Sequence, residues 1–324
     1  NALRTLMGMD AIDGLQPAAV GPIAALVFAV LLTLARLFRR TFLFLSRQLA
    51  RYVPPRISHL VGIMLSVMLF WSAVDGVLFN FLLRTADQSF QQLDALIEDD
   101  LPRPTHPQQT GSADSLLAWQ QLGRQGRRFI SSGPDAEDLS AFFGSPIPAP
   151  VRVYVGLNSA DTPEQRARLA LEELKRVGGF ERSVLILATP TGTGWVDEAS
   201  QDPLEYLFRG DVATVAVQYS YLNSPLALLT QAAYGAENAR AVFVEIYGYW
   251  RTLPAATRPR LFLSGLSLGS LNSDLSFDLF DIIDEPFAGA LWSGPPFRNA
   301  SWQRMTRDRE AGSPAWLPRF RDGS

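Results

Sequence analysis

Two long apolar stretches with almost no charge dominate the hydrophobic pattern of the first quarter of the chain. Residues 17–35 contain no charged side chain, and residues 57–83 contain one, Asp75. Each stretch could cross a bilayer as a helix, which takes about 20 residues. The segment between them carries six arginines and no acidic residue, and positively charged loops remain in the cytoplasm. The pattern predicts a transmembrane region over residues 1–84, a two-helix hairpin in the cell membrane, with the rest of the chain extracytoplasmic.

The next segment, residues 85–113, is predicted to connect this hairpin to an outer domain. Apolar residues recur at helical spacing over 86–98, which predicts a short amphipathic helix close to the membrane. Residues 99–112 are rich in proline and polar side chains, and this composition is typical of a linker.

Strand and helix patterns alternate through the remaining domain, residues 114–324. The short apolar runs are typical of strands, and the continuous run 183–188 is typical of a parallel strand that is covered on both faces. A helix is predicted to begin at Thr162-Pro163-Glu164, which combines a capping residue, a proline in the first turn and an early acid. Such alternation predicts an α/β fold with a mostly parallel sheet. The predicted strands are 151–155, 183–188, 212–218, 260–264 and 287–292, and the predicted helices are 162–177 and 236–253.

The amino-acid composition excludes several classes of catalytic and binding site. The 324 residues include no cysteine and two histidines, which excludes disulfides, thiolate metal sites and cysteine nucleophiles and argues against a multi-histidine metal centre. The net charge of −3 gives no sign of nucleic-acid binding. We expect neither a cofactor nor a metal. Five acidic residues follow one another at short spacing after residue 273, and without histidines they indicate a solvated acidic face rather than metal ligands: Asp274, Asp278, Asp281, Asp284 and Glu285.

The most informative motif is Gly265-Leu266-Ser267-Leu268-Gly269, a G-x-S-x-G sequence between a predicted strand and a predicted helix. In this context the serine lies on a sharp strand-to-helix turn, with small residues that permit close packing on both sides. We therefore predict that Ser267 is a catalytic nucleophile. An ordinary serine at the N-cap of the helix is the alternative.

A second glycine-containing loop supports this interpretation. Residues Thr191, Gly192, Thr193 and Gly194 follow the strand 183–188, where an α/β-hydrolase builds half of its oxyanion hole. Their backbone N–H groups and that of Leu268 are the predicted oxyanion donors. Gly192-x-Gly194 could instead begin a dinucleotide-binding loop, but Asp197 occupies the position of the third glycine.

No histidine follows Ser267, although the triad of this fold runs in the order serine, acid, histidine. The serine interpretation could be wrong, the protein could be a catalytically inactive relative, or the chain could stop before its histidine. We expect the last, with the hydrolase sheet incomplete at its C-terminal side and an exposed edge near residues 287–292. Neither His59, next to the membrane, nor His106, in the linker, is expected to reach Ser267.

Several segments resemble the bacterial membrane-anchored α/β-hydrolase family called Abhydrolase 9. They are residues 119–150, 150–157, the elbow 265–270 and the run Leu291-Trp292-Ser293-Gly294-Pro295-Pro296-Phe297. The resemblance covers about residues 17–324 and implies several membrane helices before a hydrolase domain, with the acid and the histidine beyond residue 324. Two features depart from the family: Leu266 replaces a glutamate, and two spans are present.

Together these features predict a serine hydrolase or acyltransferase that acts on an ester, with the lipid bilayer as a partner and an acyl lipid as one such substrate. Ser267 would attack the carbonyl, and the chain by itself would be inactive without its histidine. The alternative from another functional class is a non-catalytic membrane scaffold that retains a hydrolase-like fold.

Overall fold

The computed structural model describes residues 16–51, 54, 61–68, 89–97, 101–223, 226–228, 232–314, 317 and 319–320. The chain divides into two compact units, residues 1–85 and residues 86–324. In the first unit, helix α1 spans Gln16–Leu49 and residues 61–68 are also helical.

The predicted transmembrane hairpin is wrong. Helix α1 contains the first predicted span, 17–35, but it continues for 34 residues in all and includes four arginines in its second half. Of the second predicted span, 57–83, only residues 61–68 lie among the described residues. Within the described ranges no helix is both long enough and apolar enough to cross a bilayer. This finding also overturns the predicted location in the cell membrane with an extracytoplasmic hydrolase domain.

The second unit contains a sheet of five parallel strands, which confirms the predicted α/β architecture. The spatial order is β1-β3-β2-β4-β5. Strands β1 and β3 are buried along their whole length, as expected for strands with helices on both faces. Among the described strands β5 is last in this order, and its Leu291 is 54% exposed, so the edge expected near residues 287–292 is present. The strands are β1 Val151–Val155, β2 Val184–Thr189, β3 Val212–Val217, β4 Arg260–Leu266 and β5 Gly289–Ser293.

The helices of this unit connect the strands and cover the sheet. Helix α4 begins as predicted, because Thr162 and Gln165 form a reciprocal capping box and Pro163 occupies the first turn. The acidic segment after Ser267 forms two short helices, α7 and α8, rather than one. Residues 89–95 are helical as well. The helices are α2 Gly123–Ser131, α3 Ala136–Phe143, α4 Pro163–Arg176, α5 Glu198–Leu207, α6 Ala232–Thr252, α7 Leu268–Asp274, α8 Leu279–Ile282 and α9 Ala300–Arg307.

Two hydrophobic clusters lie on the two faces of the sheet. On one face, α4 and α6 pack against alternate strand residues such as Val153 and Leu185. On the other face, Phe129 of α2 and Leu204 of α5 pack with the intervening strand residues, including Tyr154. This alternation follows from the two-residue repeat of β-strands and leaves the carboxyl ends of the strands free to carry loops.

Candidate functional site

Ser267 occupies a strained turn between β4 and α7. Its φ of 54° and ψ of −118° lie where residues other than glycine are uncommon, and in the described part of the chain Arg209 is the only other non-glycine residue with a positive φ. The turn is held by hydrogen bonds on both sides. Ser267 N donates to Ser293 O at 2.9 Å, and Ser267 O accepts from Ser270 N at 3.0 Å. Backbone strain of this kind costs about 1–3 kcal/mol and concentrates at functional sites.

The two motif glycines are required by packing. A β-carbon on Gly265 would lie 2.4 Å from the carbonyl carbon of Gly269, and a β-carbon on Gly269 would lie 2.2 Å from Thr189 O. Both obstructing atoms belong to the backbone and cannot move aside as a side chain can. The spacing G-x-S-x-G therefore lets α7 start directly against the carboxyl end of β2.

The Ser267 hydroxyl is available for chemistry. The residue is half-buried, and its Oγ makes no hydrogen bond within the described residues. In particular, the side chain does not cap α7, which is the role that the alternative interpretation would give it. The neighbouring Ser270 differs, because its hydroxyl donates to Ser267 O at 2.6 Å.

The predicted oxyanion loop follows β2 and is folded into a tight turn. Thr191 N donates to Trp195 O at 2.9 Å, and Gly194 N donates to Thr191 O at 3.0 Å, so these two donors are already used. Among the described residues, the N–H groups of Gly192, Thr193 and Leu268 make no such bond. The loop and the elbow lie at the carboxyl ends of the adjacent strands β2 and β4.

Two buried side chains that sequence reasoning did not identify hold this loop. The Tyr154 hydroxyl donates to Gly194 O at 2.7 Å, and Gln218 Nε2 donates to Thr193 O at 3.4 Å. Gln218 Oε1 also accepts from Leu157 N at 3.1 Å. Burial raises the pKa of Tyr154 well above its ordinary value, and the nearby Asp94 carboxylate adds to this, so the hydroxyl stays a donor. The sequence feature that could have identified them is a polar side chain near the end of an apolar strand, Tyr154 in β1 and Gln218 directly after β3.

Asp94 joins the segment before the sheet to this region. Its carboxylate accepts from Arg124 N at 3.1 Å, and a β-carbon on Gly123 would lie 2.4 Å from Asp94 Oδ2. Burial raises the pKa of Asp94 above the ordinary value, while hydrogen bonds from Arg124 N–H and the Gln218 side chain oppose the rise. The segment predicted as a helix and linker thus supplies a buried carboxyl next to Gln218.

His106 is not placed to serve Ser267. It lies in a loop whose Pro107 O accepts from Arg176 Nη1 at the carboxyl end of α4, and α4 leads into the start of β2. His106 therefore lies near the amino ends of the parallel strands, whereas Ser267 lies at their carboxyl ends, after β4. Its Nδ1 accepts from Gln108 N at 3.3 Å. His59 lies outside the described residues.

Three of the acidic residues after the elbow have structural roles. Asp281 pairs with Arg240, Glu285 pairs with Arg258 at 2.9 Å, and Asp278 caps α8 through two backbone N–H groups. Across the described ranges, no group of three or more His, Cys, Asp or Glu side chains is arranged to hold a metal ion.

Comparisons with known proteins give two matches. Residues 151–324 match the model of the alpha/beta-hydrolase family, and residues 1–134 match the model of the alpha/beta-hydrolase family N-terminus. The searches of curated proteins and of solved structures found no match.

Proposed function

The chain belongs to the alpha/beta-hydrolase family of the Abhydrolase 9 type, and on this premise we propose that Ser267 is the nucleophile of a serine hydrolase or acyltransferase acting on an ester. One observation carries the proposal. Ser267 is held at a φ of 54° by packed backbone and keeps a half-buried hydroxyl without a hydrogen bond among the described residues. A serine with only a structural role gains nothing from this strain.

The reaction follows from the positions of the elbow and the loop. Ser267 Oγ attacks the ester carbonyl carbon, and the carbonyl oxygen takes up negative charge. The N–H groups of Leu268, Gly192 and Thr193 are the donors assigned to this oxyanion. Collapse of the intermediate breaks the bond to the alkoxide leaving group, which takes up the proton that Ser267 Oγ lost on attack, and leaves an acyl-enzyme. Water then releases the acid, or an acceptor alcohol takes the acyl group.

Tyr154 and Gln218 are positioning residues in this proposal. They bond the carbonyl groups of Gly194 and Thr193 and so orient the N–H groups of the same loop. Donors that are fixed before the reaction stabilise a developing oxyanion more than mobile donors do, because they need not reorganise.

A fluorophosphonate probe tests the nucleophile directly. The probe should label the protein at Ser267, and Ser267→Ala should abolish labelling. Ser200→Ala is the matched control, because Ser200 is a nearby half-buried serine whose hydroxyl donates to Asp197 O at 2.8 Å. Labelling that persists in Ser267→Ala would rule out this nucleophile.

A non-catalytic scaffold is the second candidate function. It is favoured by the position of His106 near the amino ends of the strands, away from Ser267 at their carboxyl ends. It is also favoured by the absence, among the described residues, of a side chain bonded to Ser267 Oγ. A serine without its base loses reactivity by several orders of magnitude. A correctly folded protein that the probe does not label would favour the scaffold.

A further inference from the structure

A polar cavity lies at the carboxyl ends of β1 and β3 and is not used by the proposed reaction. Its volume is about 300 Å³, large enough for a small ligand. Most of its lining is polar or aromatic, and it includes Asn158, Asp161, Arg166, Tyr221 and Tyr234.

Arg166 gives the cavity a buried positive charge. The residue is 1% exposed, and within the described part of the chain no carboxylate lies within ion-pair distance of its guanidinium. Its Nη1 donates to Ala160 O at 3.0 Å and its Nη2 donates to Asn238 Oδ1 at 3.2 Å, whereas its buried Nε finds no acceptor. A buried cation whose hydrogen bonds all go to neutral groups favours an anion nearby.

Tyr234 is hydrogen-bonded to Arg166 and lines the cavity. Its hydroxyl oxygen accepts from Arg166 Nη2 at 2.8 Å, so the hydroxyl proton is free to point elsewhere. A hydroxyl that already accepts from a guanidinium is a stronger donor than an isolated one. Elsewhere on the lining, Tyr221 donates to Asn158 Oδ1, which leaves the Asn158 amide hydrogens as further donors.

We propose that this cavity binds an oxyanion, the carboxylate or phosphate group of a ligand, through the Tyr234 hydroxyl and the Asn158 amide beside the charge of Arg166. Asp161 is the acidic residue on the lining, and its exposed position means that solvent screens its repulsion. Binding does not depend on Ser267, so the proposal stands apart from the nucleophile assignment.

Calorimetric titration of the full chain at low ionic strength tests the proposal, with inorganic phosphate in one arm and acetate in the other. The arm with the higher affinity identifies which oxyanion the cavity takes. Tyr234→Phe should weaken binding about tenfold, because it removes a hydrogen bond to a charged group. Asp161→Asn should strengthen binding about two- to fivefold, because it removes an exposed like charge.

Three comparisons make the result decisive. Tyr249→Phe, at a tyrosine that packs on Phe180 away from the cavity, should bind as the unchanged protein does, and so should Ser267→Ala. Thermal unfolding of Tyr234→Phe should show that it is folded. Equal affinity of Tyr234→Phe and the unchanged protein, or no heat in either arm, would overturn the proposal. Weaker binding by Asp161→Asn would overturn it as well, because a hydroxyl-rich neutral ligand needs that acceptor and an anion does not.

Discussion

At the scale of single residues, the turn at Ser267 depends on the α-carbon of Gly269 approaching the end of β2. A β-carbon there would lie 2.2 Å from Thr189 O and 3.1 Å from Pro190 O. Real β-carbons do not approach backbone oxygen so closely, so the backbone of the elbow would have to shift. The position of the Ser267 hydroxyl and the stability of the fold therefore both require that residue 269 has no β-carbon.

Gly269→Ala should lower the free energy of unfolding by about 1–3 kcal/mol, the usual cost of overpacking, and should reduce probe labelling of Ser267. Urea unfolding and the labelling rate measure the two effects. Gly248→Ala is the control, because a β-carbon there meets no atom within 4 Å inside α6, and alanine should raise the stability by about 0.5–1 kcal/mol. Equal stability of the two variants would contradict the steric argument.

Tyr154→Phe tests the anchoring of the oxyanion loop. The substitution keeps the ring and leaves the buried Gly194 O without its 2.7 Å hydrogen bond, so the protein should lose about 1–3 kcal/mol of stability. Labelling of Ser267 should fall as well, because the loop loses a fixed point. Tyr206→Phe, which keeps its edge contact with Phe142, should change neither quantity. Unchanged labelling in a destabilised Tyr154→Phe would assign Tyr154 to folding alone.

At the scale of elements, helix α4 is fastened to the segment that precedes α2 by Glu173, whose side chain is fully buried. The Glu173 carboxylate accepts from Ser115 Oγ at 2.7 Å and from Leu116 N at 3.1 Å, and it pairs with Arg176 at 2.7 Å. Burial raises the pKa of Glu173, but the bonds from Arg176, Ser115 and Leu116 together hold it below its ordinary value.

The lowered pKa gives the sign of a pH dependence. The stabilisation from Glu173 is complete above the unfolded-state pKa of about 4.3 and is lost as the pH falls through the lower folded-state pKa. Glu173→Gln should therefore be less stable than the unchanged protein by about 1–3 kcal/mol at pH 7, with a smaller gap at pH 3. Urea unfolding across this range measures the gap.

Glu172→Gln is the matched control for this pH series. Glu172 lies on the same helix with its side chain 57% exposed and pairs with Lys175. Exposed pairs contribute about 0–1 kcal/mol, so this variant should differ little from the unchanged protein at any pH. A gap for Glu173→Gln that stays constant from pH 7 to pH 3 would contradict the assignment.

At the scale of the whole molecule, the second unit begins before the boundary at residue 114 that the sequence predicts. Arg127, which is buried in α2, donates to Asp94 O at 3.1 Å and also to Leu96 O. The Asp94 carboxylate accepts from Arg124 N. Without residues 89–97, these polar groups would lose their partners, and unsatisfied buried groups cost about 1–3 kcal/mol each.

A fragment of residues 86–324 should therefore be more stable than a fragment of residues 114–324, by at least about 2 kcal/mol. Chemical unfolding of the two purified fragments, followed by circular dichroism, gives the comparison. Coincident unfolding midpoints would show that residues 86–113 contribute nothing to the stability of the sheet.

The strands and the elbow could be predicted because their signals are local. The apolar run at 183–188 and the glycines around Ser267 report the strand and the sharp turn from a few neighbouring residues. Helix α5 gave no such signal, because Pro203 lies inside it and a proline normally indicates the end of a helix. The prediction of the hairpin also rested on a local pattern, and it was wrong. The uncharged run 17–35 has the composition of a membrane span, yet its helix continues through four arginines.

The sequence by itself determined the parallel α/β layout and the candidate nucleophile, since strand periodicity and the G-x-S-x-G spacing are properties of short segments. Only the tertiary structure decided which polar residues face the interior. Arg152 and Tyr154 alternate with valines as solvent-facing residues would, yet both are buried, one paired with Glu205 and the other bonded to Gly194 O. Their partners lie 40 or more residues away in the chain, and a local pattern carries no information about contacts made by distant segments.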